Sequence, residues 1–400
     1  MREAATFGTT VTAPALHWPT VLDRQHQVVR RLRPPREKLE RAGIRVYPGE
    51  ARFTDPHTLS IAGSPEGGGA SLRGERLVIA AGSAPLIPPI EGGELAITSD
   101  QLLFLPEFPA SLVIVGSGAI GLEMAGAFND LGASVTVVGR EDEILAGFDP
   151  EVAAHLRGLL EARGIVVHRS ARVTGLAGRP GDVVTRFRVP GGAREIRSAV
   201  VCAAVGRRWD PRTLGAEGLG LEMARLGLKT TADLRTSIPH IYAAGDAAGN
   251  MQLTPAAAHE GQVAGRNAVT GETVTSDLTT LPQAIFTTPE IARVGLSHRQ
   301  VQDLGLGCHV ATHDMRGASN GVATGEDAGF LKLVFESASE RVLGVQMVAH
   351  AAAELIQLAA LGIRSGVTAE RLSTQLSIHP SQTERLIKIA AHEYHDICEV

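Results

Sequence analysis

Gly116, Gly118 and Gly121 stand at the GxGxxG spacing in the stretch VGSGAIG, a pattern that can receive a phosphate. Gly116 permits a tight turn, Gly118 lets backbone N–H groups approach a pyrophosphate, and Gly121 lets helix and strand pack closely. Ser117, Ala119 and Ile120 complete the loop, and the anion would rest on the positive end of the following helix. An apolar run at 112–115 enters the loop and a helix-forming segment at 122–131 leaves it, which favours a dinucleotide site over an ordinary glycine turn. A second apolar strand, 135–138, ends at Gly139-Arg140. An acid at the end of this strand would bond the ribose 2'-hydroxyl of NAD, whereas arginine suits the 2'-phosphate of NADP. Arg140 therefore favours NADP, with a solvated Arg140 as the alternative: Glu141 and Asp142 follow at once, and no second arginine stands at Ala146. Asp246 closes another apolar strand, where open α/β sheets bind ligands. His379 precedes Pro380, which suits a first helical position, and taken alone this histidine reads as a cap.

These groups need scaffolds, and 400 residues are too many for one core. A hydrophobic share of 44% and a charged share of 20% describe an ordinary globular protein. A net charge of -5 gives no reason to expect nucleic acid or an acidic membrane surface as partner, and no apolar run is long enough to cross a bilayer. The start lacks a basic-then-apolar leader, so the cytoplasm is the expected location. Cys202, Cys308 and Cys398 are far apart in sequence, which argues against a disulfide framework or a zinc cluster. Cys202, inside an apolar strand, reads as a buried inert thiol, and Cys398 as a spectator on a frayed tail.

Along the chain, an amphipathic helix at 20–41 should break at Pro34-Pro35, with Arg30, Arg31, Arg33 and Arg36 on a solvated face. Short strands are expected at 44–47, 51–54 and 58–61, a loop tip at 67–69, and a further strand at 76–81. After the glycine loop, Asp149-Pro150 should cap and begin a helix that Gly164 closes. Strands at 165–168 and 199–205, with a hairpin through Gly191-Gly192, should complete a mixed sheet. From about residue 280, strands at 292–296, 330–335 and 342–348 alternate with a helix at 351–365, the texture of a separate α+β domain.

GxGxxGxE at Gly116 to Glu123, the AxGRR-like Ala204 to Arg208, IPxIYAxGD ending at Asp246, LTP at Leu253 to Pro255 and HPS-x-TE at His379 to Glu384 occur in one order. Together they resemble the flavin-dependent pyridine nucleotide-disulfide oxidoreductases, the group of glutathione reductase, dihydrolipoamide dehydrogenase and mercuric reductase. The resemblance implies an α/β fold with two Rossmann-like domains, for FAD and NAD(P), and a C-terminal α+β dimerisation domain. It assigns 1–110 to a partial FAD domain, 111–233 to the NAD(P) domain, 234–279 to a return segment of the FAD domain and 280–400 to the interface. It further implies a homodimer that passes hydride from NAD(P)H to FAD and on to a disulfide or related small acceptor.

Carried over residue by residue, the glycine loop would hold the nicotinamide dinucleotide, with Val173 and Gly206 lining that cleft. Glu123 would stand near flavin and nicotinamide. Asp246 would accept from the ribityl chain, Thr254 would lie against the isoalloxazine through its backbone, and Ala51 would approach the adenine side. His379 would act as general acid/base for the thiol across the dimer, with Glu384 fixing its tautomer. This His-Pro pair leans toward thiol chemistry rather than mercuric ion.

The family's first strand, first GxGxxG and CxxxxC do not occur in these 400 residues. Thiol exchange needs an attacking thiolate and a resolving partner. The expectation is an enzyme whose given sequence is N-terminally truncated, with weak flavin binding, poor solubility or both in this polypeptide. The alternative is a non-catalytic, dimeric NADPH-binding remnant. A quinone-directed diaphorase is a third reading, in which His379 would be idle.

Overall fold

The computed structural model describes residues 7–10, 15–63, 69–326, 328–391 and, for the backbone alone, 396–398. The expected loop tip at 67–69 lies largely outside the described residues. The chain forms two compact units, one of residues 1–16, 87–205 and 279–400 and the other of 17–86 and 206–278. Among the described residues, no helix is long and apolar enough to cross a membrane.

In the first unit, five parallel strands lie in the order Ile97–Thr98, Val200–Ala203, Ser111–Val115, Ser134–Val138, Val166–His168. Leu112, Val113 and Ile114 are buried, as the uninterrupted apolar run requires of a strand covered on both faces. Helices Ala119–Asp130 and Pro150–Ala162 supply the crossovers. The expected mixed sheet is instead two sheets, because Arg172–Arg179, Asp182–Val189 and Gly192–Ser198 pair antiparallel among themselves. Phe187 and Val183 on that hairpin join Val113, Val138 and Val201 in one apolar cluster, so packing joins what hydrogen bonding does not.

The same unit holds a six-stranded sheet in the order Gln283–Ile285, Glu290–Gly295, Val342–Ala349, Phe330–Glu336, Cys308–Asp314, Asp396–Cys398. Its pairs are all antiparallel, and helix Ala352–Arg364 packs through Ile356 and Ala359 on Val345, Met347 and Leu333. Cys308 is disulfide-bonded and stands opposite Cys398 in the strand register, which corrects the expectation that the cysteines take no part in a bridge. Cys202 is buried and free, and burial pushes its thiol up to about 12, as expected of an inert core cysteine.

Gly344 shows how tightly this sheet is built: a Cβ there would sit 1.8 Å from the Leu296 carbonyl oxygen. Gly344→Val is accordingly expected to cost about 3 kcal/mol or more, read as a lower urea midpoint with unchanged slope.

The second unit carries helices Trp18–Leu32 and Arg36–Arg41, separated where Pro34-Pro35 forbids a continuous ladder. Strands Glu50–Asp55, Thr58–Ala62 and Ala70–Arg73 form an antiparallel sheet, whereas 44–47 is irregular and corrects the strand expected there. Leu77–Ile79 pairs in parallel with Ile241–Ala243 alone among the described residues. Ile79, Ile241, Ala243 and Trp209 form its core.

Candidate functional site

The glycine loop Gly116 to Gly121 follows from the sequence around it. Gly116 takes φ +120, and a Cβ there would lie 2.3 Å from the Ala204 carbonyl oxygen of the neighbouring strand. A Cβ on Gly121 would lie 2.2 Å from the Gly116 carbonyl oxygen, so this glycine is what lets the helix close on the strand. At Gly118 a Cβ would meet nothing within 4 Å, which leaves open space beside the helix N-terminus. Gly118 is the N-cap of Ala119–Asp130, with no side-chain cap and no acid in the first turn. Its uncapped N–H groups and macrodipole thus offer an anion site. Ala119 is exposed, Ile120 half-buried, and Ser117 buried beneath them.

Gly139 ends the next strand, and a Cβ there would lie 2.4 Å from Ser117 Oγ. A side chain at that position would press on the Ser117 side chain, a contact that the sequence pattern did not reveal. Arg140 is exposed and donates to Glu141 Oε1 at 2.7 Å. Val173, on strand Arg172–Arg179, packs against the cluster containing Val115 and Val138. Glu123 Oε1 accepts from the Phe286 backbone N–H at 3.0 Å.

At the C-terminal end of the same unit, His379 Nδ1 lies 2.9 Å from Glu384 Oε2, and the His379 side chain is 63% exposed. Glu384 is buried, and its other oxygen pairs with Lys388, a partner that sequence reasoning missed. The Lys388 and His379 hydrogen bonds hold the Glu384 carboxyl down to about 2. It is therefore ionised throughout the neutral range and fixes the ring with Nε2 turned away from it. The helix here is Thr383–Ile389, so Pro380 stands before it after a cis peptide bond rather than at its first position. Ser381 Oγ accepts from Glu384 N at 3.2 Å, which gives the serine of the motif a capping task.

In the second unit, Asp246 Oδ2 accepts from Ser83 Oγ at 2.5 Å, and Ser83 Oγ accepts from Arg207 Nε at 3.0 Å. Gly245, at φ +65, is held through its N–H by the buried Glu260, 2.7 Å away. Thr254 opens the helix Thr254–Thr270, which has no side-chain cap. Ala51 lies on strand Glu50–Asp55, opposite Ile61. Gly206, at φ +124, accepts from Leu86 N at 2.9 Å. Among the described residues no three His, Cys, Asp or Glu gather as a metal site.

The first unit thus holds a parallel sheet with a glycine loop at its carboxyl edge, an antiparallel sheet, and a histidine–carboxylate pair at the start of the short helix Thr383–Ile389. Residues 3–261 match the pyridine nucleotide-disulphide oxidoreductase family, and residues 281–390 match its dimerisation domain. The chain belongs to this family, whose members are FAD-dependent NAD(P)H oxidoreductases acting on disulfides. It is 32% identical to the glutathione reductase of Burkholderia cepacia over 397 residues, 97% of this chain and 85% of that one. It is 34% identical to the dihydrolipoyl dehydrogenase of Haloferax volcanii over 387 residues, 94% of this chain and 81% of the relative. Its fold superposes with TM-score 0.81 on the HOCl-induced flavoprotein disulfide reductase RclA from Escherichia coli. That match has 25% identity and covers 92% of this chain and 85% of the other.

Proposed function

We propose that the loop Gly116 to Gly121 binds NADPH in preference to NADH, and that His379 with Glu384 serves a thiol-directed half-reaction in a homodimer. The observation that carries this is the bare helix N-terminus at Gly118, beside a strand end that carries Gly139 and the exposed Arg140 in place of an acid. Backbone N–H groups there take the pyrophosphate, and Arg140 leaves Glu141 for the 2'-phosphate. The family resemblance assigns Val173 to the same coenzyme. Arg140→Ala is expected to weaken NADPH binding by ~10-fold, the worth of one charge-assisted hydrogen bond, with NADH unchanged. Calorimetric titration with each coenzyme reads the difference.

The flavin that the family uses supplies a carrier between hydride donor and thiol. Part of the second unit fits it. Asp246 offers a carboxylate held by Ser83 to a ribityl hydroxyl, and the uncapped amides at Thr254 favour negative charge on an isoalloxazine carbonyl. Ala51 is assigned to the adenine side, and Glu123 to the neighbourhood of the nicotinamide. The glycine loop that would take the FAD pyrophosphate is not among these 400 residues, nor is CxxxxC.

His379 holds a proton at Nε2 for a thiolate leaving group while Glu384 stabilises the imidazolium through Nδ1. Beside it, Leu361, Leu376 and Ile378 are 64%, 89% and 80% exposed along an apolar groove of about 580 Å³. In a polypeptide that carries the family's cysteine pair, a second copy covering this face would bring His379 to the other protomer's thiols. The reading as a non-catalytic, dimeric NADPH-binding remnant is disfavoured by the His379–Glu384 pair, for which a mere nucleotide binder has no use.

A further inference from the structure

Asp149 occupies the N-cap of helix Pro150–Ala162 but gives that helix no side-chain hydrogen bond, contrary to the capping role its position suggests. Its carboxylate is buried, 2% exposed, and turned to the antiparallel sheet. Oδ2 accepts from Lys332 Nζ at 2.9 Å, Gln346 Nε2 at 2.8 Å and the His298 backbone N–H at 3.1 Å. The Asp149 N–H in turn donates to Gln346 Oε1 at 2.9 Å. Lys332 is 1% exposed and also pairs with Glu151. A buried ion pair adds little net stability over apolar residues of the same volume, so stability alone does not account for this one.

The residues just before Asp149 point to what it holds. Leu145, in the left-handed region at φ +52, donates from its backbone N–H to the Ser117 carbonyl oxygen of the dinucleotide loop at 3.0 Å. Two residues on, the Gly147 carbonyl oxygen accepts from Arg293, whose guanidinium also lies over the Phe148 ring, 5.1 Å from its centroid. Arg293 itself is held by Gln283 Oε1 at 3.1 Å. Within five residues the chain is thus fastened once to the glycine loop and twice to the interface sheet. The backbone at Leu145 keeps an unfavourable conformation because both sides over-determine it.

We infer that Asp149, Lys332 and Arg293 are positioning residues for the nicotinamide dinucleotide, through which the interface sheet sets the geometry of the loop at Ser117. This rests on the reading that residues 116–121 take NAD(P)H. The clamp acts on the pyrophosphate loop rather than on Arg140, so loosening it weakens both coenzymes by the same factor. A purely structural role would lower the unfolding midpoint and leave affinity alone.

The test uses the full chain, titrated calorimetrically with NADPH and with NADH. Lys332→Met combined with Asp149→Asn removes both buried charges together and leaves the 45% exposed Glu151 to solvent, and Arg293→Gln releases Gly147 separately. Each variant is expected to raise both dissociation constants in parallel by ~3- to 10-fold, the scale of coupling through packed elements. Unchanged affinities in the variants overturn the inference, as does a loss confined to NADPH. Should the double variant not fold, Arg293→Gln decides alone. A parent chain that takes up neither coenzyme removes the functional reading and the inference with it, an outcome distinct from parent binding that the variants share unchanged.

Discussion

Gly118→Ala is expected to abolish measurable NAD(P)H binding while leaving the fold intact. In the structure a Cβ at Gly118 meets nothing within 4 Å, so the substitution adds no clash to the free protein. The space it fills is the approach to the uncapped amides of Ala119–Asp130, and a methyl there holds a pyrophosphate off the backbone. Losing several charge-assisted hydrogen bonds at once corresponds to ~100-fold or more in affinity. Gly116→Val and Gly121→Val make the useful contrast. Their added atoms fall 2.3 Å and 2.2 Å from backbone oxygens, so both binding and the unfolding midpoint should drop. Circular dichroism and calorimetry on the three variants separate the two effects. A Gly118→Ala chain that binds as well as its parent would show that the loop is a packing turn.

His379→Ala is expected to lower disulfide turnover by ~10²- to 10⁴-fold, the usual worth of a positioned general acid. The measurement needs a polypeptide carrying the family's cysteine pair, since CxxxxC does not occur in these 400 residues. Hydride entry from NADPH should be unchanged, because His379 lies downstream of it. Glu384→Gln keeps the shape but removes the charge that Lys388 and His379 share, and should cost less than deleting the ring. Stopped-flow separation of reduction from turnover checks both. A His379→Ala enzyme with full turnover would return His379 to a structural role.

The parallel sheet was legible because its strands are continuous apolar runs and its glycines sit at fixed offsets. The helix at Pro150–Ala162 was legible from Asp149-Pro150 and Gly164. What sequence could not give were relations between distant segments. Asp149 looks like a cap, and only the tertiary structure turns its carboxylate to Lys332, far along the chain on another sheet. The one local sign was a lysine at a buried position of the apolar strand Phe330–Glu336. The hairpin through Gly191-Gly192 reads as part of a mixed sheet because a turn signal marks two paired strands but not the sheet they join. The strand expected at 44–47 failed for a similar reason, since β-branched residues there have no neighbour to pair with among the described residues. Gly139 reads as the place of a missing acid, and its close approach to the Ser117 side chain is visible only in the structure.

Calorimetric titration of the purified chain with NADPH and NADH tests the central claim most directly. Saturable heat with NADPH, weaker heat with NADH, and loss of both in Gly118→Ala are the predicted result. No heat from either coenzyme, or equal heat after that substitution, would contradict it.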